Sequence, residues 1–240
     1  MNVRAVICDA YNTLLEIGPP PSDAAARWEK LWRDIFGSAA RLSLDQFAAK
    51  TPAIIEREHI AAKAAGVEWP EIFWPAVGAE ALPELQKLSD AERDEFLYRH
   101  AQLQRSVNLM PGAAEVLSGL AAQKKFLGVA SNAQPYTLRE LDAALAVVKL
   151  DRSLFRPELC FWSFMHGFSK PDAHAFRLLR SRLLALGVSS AETLMVGDRL
   201  DNDIEPARRQ GWQTWHLSGE AGPVPQTGDW NSLRRQLGLL

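Results

Sequence analysis

Some residues of this 240-residue chain stand where carboxylate or amine chemistry would need them. Val6-Ile7-Cys8 is a short apolar run, and Asp9 closes it just ahead of a turn-prone Asn12 and Thr13. Such a pattern predicts a buried strand that hands one carboxylate to its C-terminal edge. In an open α/β sheet that edge is where ligands sit. Asp9 is therefore the first candidate for chemistry, although an acid in that place also suits a turn or a helix cap. Two later runs repeat the arrangement: Phe126 to Ala130 reads as a strand ending in Ser131-Asn132, and Thr193 to Gly197 as a strand delivering Asp198, with Asp203 close behind. Lys170 precedes Pro171-Asp172 in a loop between them.

The elements that must position these residues are legible from periodicity. Strands alternate with helices, around Tyr136 to Ala146 and from Phe176 to Leu186 among others, and a last strand spans Trp212 to Leu217. This predicts an α/β fold with a doubly wound, mostly parallel, Rossmann-like sheet in which Asp9, Ser131 and Asp198 leave strands at one edge. Asp203 reads as the cap of the following helix, Leu159 to Ser163 as a short apolar run, and Trp230, Leu233 and Leu237 as a packing helix. Between the first strand and the rest, the composition changes. Gly18-Pro19-Pro20-Pro21 reads as a hinge, and Trp28, Leu31, Trp32, Ile35 and Phe36 mark one face of a helix. Ser43 to Gln46 and Ser89 to Glu92 have capping-box spacing, and Thr51-Pro52 reads as another helix start. Residues 17–107 are thus expected to form an all-helical cap without strands, inserted into an α/β core of residues 1–16 and 108–240.

Composition narrows the partners. Lys and Arg number 27 against 29 Asp and Glu, a net charge of -2, which gives no electrostatic reason to expect nucleic acid or an anionic membrane. No run reaches the length of a membrane span. Cys8 and Cys160 are the two cysteines, too few for a disulfide framework. A cytoplasmic protein acting on a small molecule is expected, and the oligomeric state is left open.

The strand-end Asp9, Ser131-Asn132, Lys170 before Pro-Asp, and Gly197-Asp198-Arg199-Leu200-Asp201-Asn202-Asp203 resemble, in order and spacing, the four motifs of the haloacid dehalogenase superfamily. The resemblance covers roughly residues 3–16 and 108–218, and the helical insertion falls where that superfamily places a cap. It implies that Asp9 is a nucleophile forming a covalent aspartyl intermediate, which splits one displacement into two. Ser131 and Asn132 would hold the transferred group or substrate carboxylate, and Lys170 would offset the charge of nucleophile and anionic substrate. Thr13 and Tyr11 join Asn132 as substrate-binding candidates. Asp9, the Tyr11 carbonyl, Asp198 and Asp203 would hold Mg²⁺, which favours oxygen ligands, while Asp201 is expected to be a solvated turn residue.

Two motifs disagree. Phosphatases of this superfamily carry a second Asp two residues after the nucleophile as acid/base, and here that position is Tyr11, a poor substitute at neutral pH. Asp9-Ala10-Tyr11-Asn12-Thr13-Leu14-Leu15-Glu16 instead resembles 2-haloacid dehalogenases, with Asn12 where they carry Gly. Those enzymes work without metal, whereas this chain keeps Asp198 and Asp203, whose mutual repulsion favours a cation. Three readings follow: a Mg²⁺-dependent hydrolase of a small phosphoester with altered acid/base chemistry, a metal-free 2-haloacid dehalogenase, and a weakly active or inactive phospholigand-binding relative. The dehalogenase reading also wants a cation for the substrate carboxylate. Arg27, Arg33 and Arg41 are available, and all three read as helix-surface charges.

Overall fold

Strand β1 (Ala5–Cys8) is buried along its whole length, because both its edges pair with strands and both its faces carry helices. Its sequence shows no polar alternation for the same reason. The computed structural model describes residues 1–218 and 226–239; residues 219–225 and 240 of the expected core lie outside that range. β4 (Phe126–Ser131) pairs with one edge of β1 and β6 (Thr193–Gly197) with the other, placing Cys8 level with Val129 and Val196. β5 (Cys160–Trp162) continues beyond β4, while β7 (Gln213–Leu217) and β8 (Thr227–Gly228) continue beyond β6. All these pairs are parallel, in the order β5-β4-β1-β6-β7-β8. The sheet is doubly wound, with its switch point between β1 and β6, where a crevice opens at the strand ends.

Alternate residues of β1 serve the two faces. Val6 and Cys8 pack with α5 (Ala113–Ala122), α6 (Pro135–Val147) and α9 (Trp230–Leu237), and Ala5 and Ile7 pack with α7 (Ala173–Ala185) and α8 (Glu205–Arg209). Gly128 in β4 has no room for a side chain, since a Cβ there would lie 2.3 Å from the Leu159 carbonyl oxygen.

Helices α1 (Ala24–Phe36), α2 (Leu44–Ala64), α3 (Trp74–Ala81) and α4 (Asp90–Gln104) pack around a core of their own, with Trp28, Leu31, Trp32, Phe47, Phe96 and Leu97 at its centre. Trp28 stacks on Phe47 at 5.6 Å between ring centroids. Both expected capping boxes form, at Ser43 with Gln46 and at Ser89 with Glu92.

Three sequence expectations are corrected. Thr51-Pro52 starts no helix, because α2 runs through it. Proline has no N–H to give the Ala48 carbonyl, and the Thr51 hydroxyl donates to that oxygen instead, at 3.0 Å. Residues 17–107 are not free of strands: β2 (Leu15–Gly18) pairs antiparallel with β3 (Ser106–Leu109), and both strands cross the expected boundaries. Gly18 is thus the end of a strand, and a Cβ there would come within 2.2 Å of Ser106 Oγ. Asp203 caps no helix. It lies inside a π-helical turn over Leu200–Ile204, which leads into α8.

Candidate active site

Asp9 leaves β1 at the switch point, its N–H donating to the Val196 carbonyl at 2.9 Å. The chain then turns sharply. Asn12 has φ 56°, a left-handed conformation that asparagine tolerates better than most residues, so it fits where a glycine would otherwise be expected. Behind this turn the Trp230 indole of α9 donates to the Thr13 carbonyl at 2.9 Å, anchoring the segment from below. Asp198 leaves β6 beside it, and Ser131 leaves β4 on the far side.

A cavity of about 200 Å³ is lined by Asp9, Tyr11, Ser131, Asn132, Lys170, Asp198 and Asp203, with Asn12, Arg199 and Asn202 completing the wall. Lys170 is its centre. The ammonium, almost wholly buried, donates to Asp9 Oδ1 at 2.6 Å and to Asp203 Oδ1 at 2.5 Å. Its loop is held by Asn132, whose side chain accepts from the Lys170 N–H at 2.7 Å and donates to the Lys170 carbonyl at 2.9 Å. Asn132 therefore positions the lysine. Thr13 does not line the cavity; its buried hydroxyl lies 3.4 Å from Asp198 Oδ1.

The charges are unequal. Carboxylate oxygens of Asp9, Asp198 and Asp203 lie within 4.8 Å of one another, and one ammonium faces them. Burial pushes Asp9 up to about 6, against the attraction of Lys170, and the charges of Asp203 and Asp198 add to the rise. Asp198 is raised by burial and then by Asp203. Burial alone would lower Lys170, but Asp203 and Asp9 outweigh it and hold its ammonium above the ordinary value. Close approach is possible because residue 197 is glycine: a Cβ there would meet Asp203 at 2.4 Å. Three converging oxygen donors with a surplus of negative charge fit a hard divalent cation. Among the described residues this is the one such group of acids.

Tyr11 turns its hydroxyl to other partners. The phenol donates to Glu140, lies 2.8 Å from Thr137 Oγ1, and accepts from Arg105 Nη2 at 2.6 Å. Arg105 also pairs with Glu140 at 2.9 Å. Burial, followed by the Glu140 charge, drives the Tyr11 phenol far above its ordinary range, which favours its protonated form. Glu140, Arg105 and Thr137 have no motif spacing to betray them. They are brought to Tyr11 by the packing of α4 and α6, and no local signal in the sequence marks them. Arg27, Arg33 and Arg41 are all exposed on the helical segment, with Arg27 paired to Asp23 and Arg41 to Glu84. Asp201 is exposed and paired with Arg199.

A family model described as haloacid dehalogenase-like hydrolase matches residues 3–211. No curated protein matches the chain. Solved structures with the same fold include the HAD-hydrolase YfnB from Bacillus subtilis, bound to magnesium, at 19% identity and TM-score 0.53 over 99% of both chains. The L-2-haloacid dehalogenase from Xanthobacter autotrophicus is similar at 18% identity and TM-score 0.56, covering 98% of each chain. A predicted phosphoglycolate phosphatase from Haemophilus somnus 129PT is similar at 18% identity and TM-score 0.52, covering 99% of each. Among the described residues no helix is long and apolar enough to cross a membrane.

Proposed function

Because the chain belongs to the haloacid dehalogenase-like hydrolase family, we propose that it hydrolyses a small anionic phosphoester, with Asp9 as nucleophile and Mg²⁺ as cofactor. One observation carries this reading: three carboxylates meet around a single ammonium. Asp9, Asp198, Asp203 and the Tyr11 carbonyl are the groups that would hold the cation. When bound, it would neutralise charge between the nucleophile and the phosphate.

Lys170 holds Asp9 Oδ1, which leaves Oδ2 to attack phosphorus. A P–O bond to Asp9 forms as the bond to the leaving oxygen breaks, giving an aspartyl phosphate. Water then attacks that phosphorus, releases phosphate and returns the Asp9 carboxylate, its proton passing to solvent. Lys170 and the Ser131 hydroxyl stabilise the anion in both steps. With the Tyr11 phenol committed to Glu140, no side chain at that position protonates the leaving oxygen. The favoured substrates are therefore aryl phosphates, phosphoesters whose leaving groups depart without a proton.

The same Tyr11 geometry favours a second reading, dehalogenation of a 2-haloacid, since halide also leaves unprotonated. A third, a binding protein of low turnover, shares the site without the rate. Purified protein should release phosphate from an aryl phosphate, and chelator should stop it. Halide release from 2-chloropropionate that ignores chelator would replace the first reading with the second. Neither activity, with Mg²⁺ still raising the melting temperature, would leave the third.

A further inference from the structure

The segment of residues 69–72, between α2 and α3, is bonded to the core loop that runs into Lys170. The Ser169 N–H donates to the Trp69 carbonyl at 2.8 Å, the Glu71 N–H donates to the Gly167 carbonyl at 3.1 Å, and Pro70 forms an antiparallel bridge with Phe168. The half-buried Glu71 side chain extends this attachment to a second loop. Its Oε2 accepts from the Ser163 hydroxyl at 2.6 Å, and its Oε1 accepts from Gln134 Nε2 and from the Ile72 N–H, each at 3.0 Å. Ser163 and Gln134 are buried, and the Ser163 Oγ accepts in turn from the Ala133 N–H at 2.8 Å. One carboxylate thus joins the start of the 163–170 loop to the residues that follow Asn132. At the other end of the same two loops, Asn132 bonds both the N–H and the carbonyl of Lys170.

We propose that Glu71 is a positioning residue for Lys170: its carboxylate fixes the 132–134 and 163–170 loops against each other, so that the lysine ammonium meets Asp9 and Asp203. The chemistry of the clamp explains why an acid is there. Three donors converge on Glu71, and a carboxylate, with two acceptor oxygens and no proton, takes all of them. Burial raises Glu71, and the bonds from Ser163, Ile72 and Gln134 pull against that rise. Without Glu71 the Ser163 proton keeps only the Ala133 carbonyl, at 3.2 Å, and the link between the helical segment and the two loops loses its shortest bond. Phe168 packs on Phe161 of β5 at 5.5 Å between ring centroids, which fixes the 163–170 loop to the sheet but not to Ala133 and Gln134.

Precision matters at Lys170 because its side chain is long and its two acceptors are fixed by different strands. A displacement on the order of 1 Å in such a group can cost about 10²-fold in rate. The effect on turnover rests on the phosphoester reading. The placement of Lys170 does not, and it can be measured without turnover.

The test is acetic anhydride labelling of the folded protein, read at Lys170 by mass spectrometry, beside the kinetics of aryl phosphate hydrolysis. Lys170 is buried and should be protected in wild type. In Glu71→Ala its labelling should rise by about tenfold. Phe47→Leu lowers stability in the helical core without touching these bonds and should leave Lys170 as protected as in wild type. Glu71→Gln keeps one acceptor for Gln134 and Ile72 and offers its amide to a lone pair of Ser163, so labelling should stay within about threefold of wild type. In the kinetic arm Glu71→Ala should lower kcat by about 10- to 100-fold with KM moving by less than about threefold, and Glu71→Gln should restore most of the loss. Labelling decides the proposal even where wild type releases no phosphate, an outcome that would remove the phosphoester reading alone. Wild-type protection of Lys170 in Glu71→Ala, an equal rise in Phe47→Leu, or an unchanged kcat in Glu71→Ala beside an active wild type would overturn the proposal.

Discussion

Lys170 and Arg105 are both largely buried cations bonded to acids, and the nine-to-thirteen turn touches both, yet their surroundings differ in kind. Lys170 faces Asp9 and Asp203 directly, with Asp198 alongside. Arg105 faces one carboxylate, Glu140, and a phenol whose protonated form is favoured. The second cluster is balanced, and a balanced buried pair is a structural fitting whose removal leaves a bare charge. The first is overfull of negative charge, so it stores repulsion that a bound cation would relieve. The difference between the clusters is charge surplus, rather than burial or charge itself, and it is the surplus that singles out the proposed reactive cluster.

The largest effect should come from Asp9→Asn. It removes the proposed nucleophile, and turnover should fall by at least ~10³-fold, measured as phosphate release under saturating substrate. The same substitution relieves repulsion in the surplus cluster, so metal-free Asp9→Asn should melt at or above the wild-type temperature. Retained turnover would sink the nucleophile assignment, and a large loss of stability would sink the contrast between the clusters.

At the balanced cluster the pattern should invert. Glu140→Gln leaves the Arg105 guanidinium buried without its anion and should cost about 3–5 kcal/mol in urea unfolding. Removing both charges, as in Arg105→Met with Glu140→Leu, should recover most of that loss. Turnover of the folded fraction should change by less than about tenfold, because neither group touches the reacting atoms. A neutral Glu140→Gln would show that the pair is not balanced in the sense used here.

What could be read from the sequence follows the same division. Strands β1, β4 and β6 are short apolar runs with a polar residue at the end, and both the parallel, doubly wound sheet and the approach of Asp9, Ser131 and Asp198 to one edge are legible from that pattern, whereas the strand order is not. The cysteine and charge counts say nothing about Glu140, whose importance depends on α6 laying it against a residue 129 positions away. The pairing of β2 with β3 escapes the periodicity rules because four-residue strands next to Gly18 and a proline run have too little pattern to show. Thr51-Pro52 misleads because its sequence is that of a helix start; only the Thr51 hydroxyl bond to Ala48 shows how α2 carries a proline inside it.

The smallest effect is also the most specific to the surplus. An aspartate in the unfolded chain has the ordinary pKa of 3.8, and burial raises Asp9 to about 6 in the folded one. The native state therefore binds the proton more tightly, so between those values stability rises as pH falls, the reverse of an ion-paired surface carboxylate. Below pH 4 both states hold the proton and Asp9 costs nothing. Above pH 6 the native carboxylate is ionised and the full penalty is present. Asp9→Asn lacks this term but keeps every other titrating group. The unfolding free energy of metal-free Asp9→Asn, less that of wild type, should grow from pH 4 to about 7 and then level off. Millimolar Mg²⁺ should shrink the plateau by stabilising the ionised wild-type cluster. A difference that stays flat across that window would mean that Asp9 is not held above its ordinary pKa, and that Lys170 alone already balances the site.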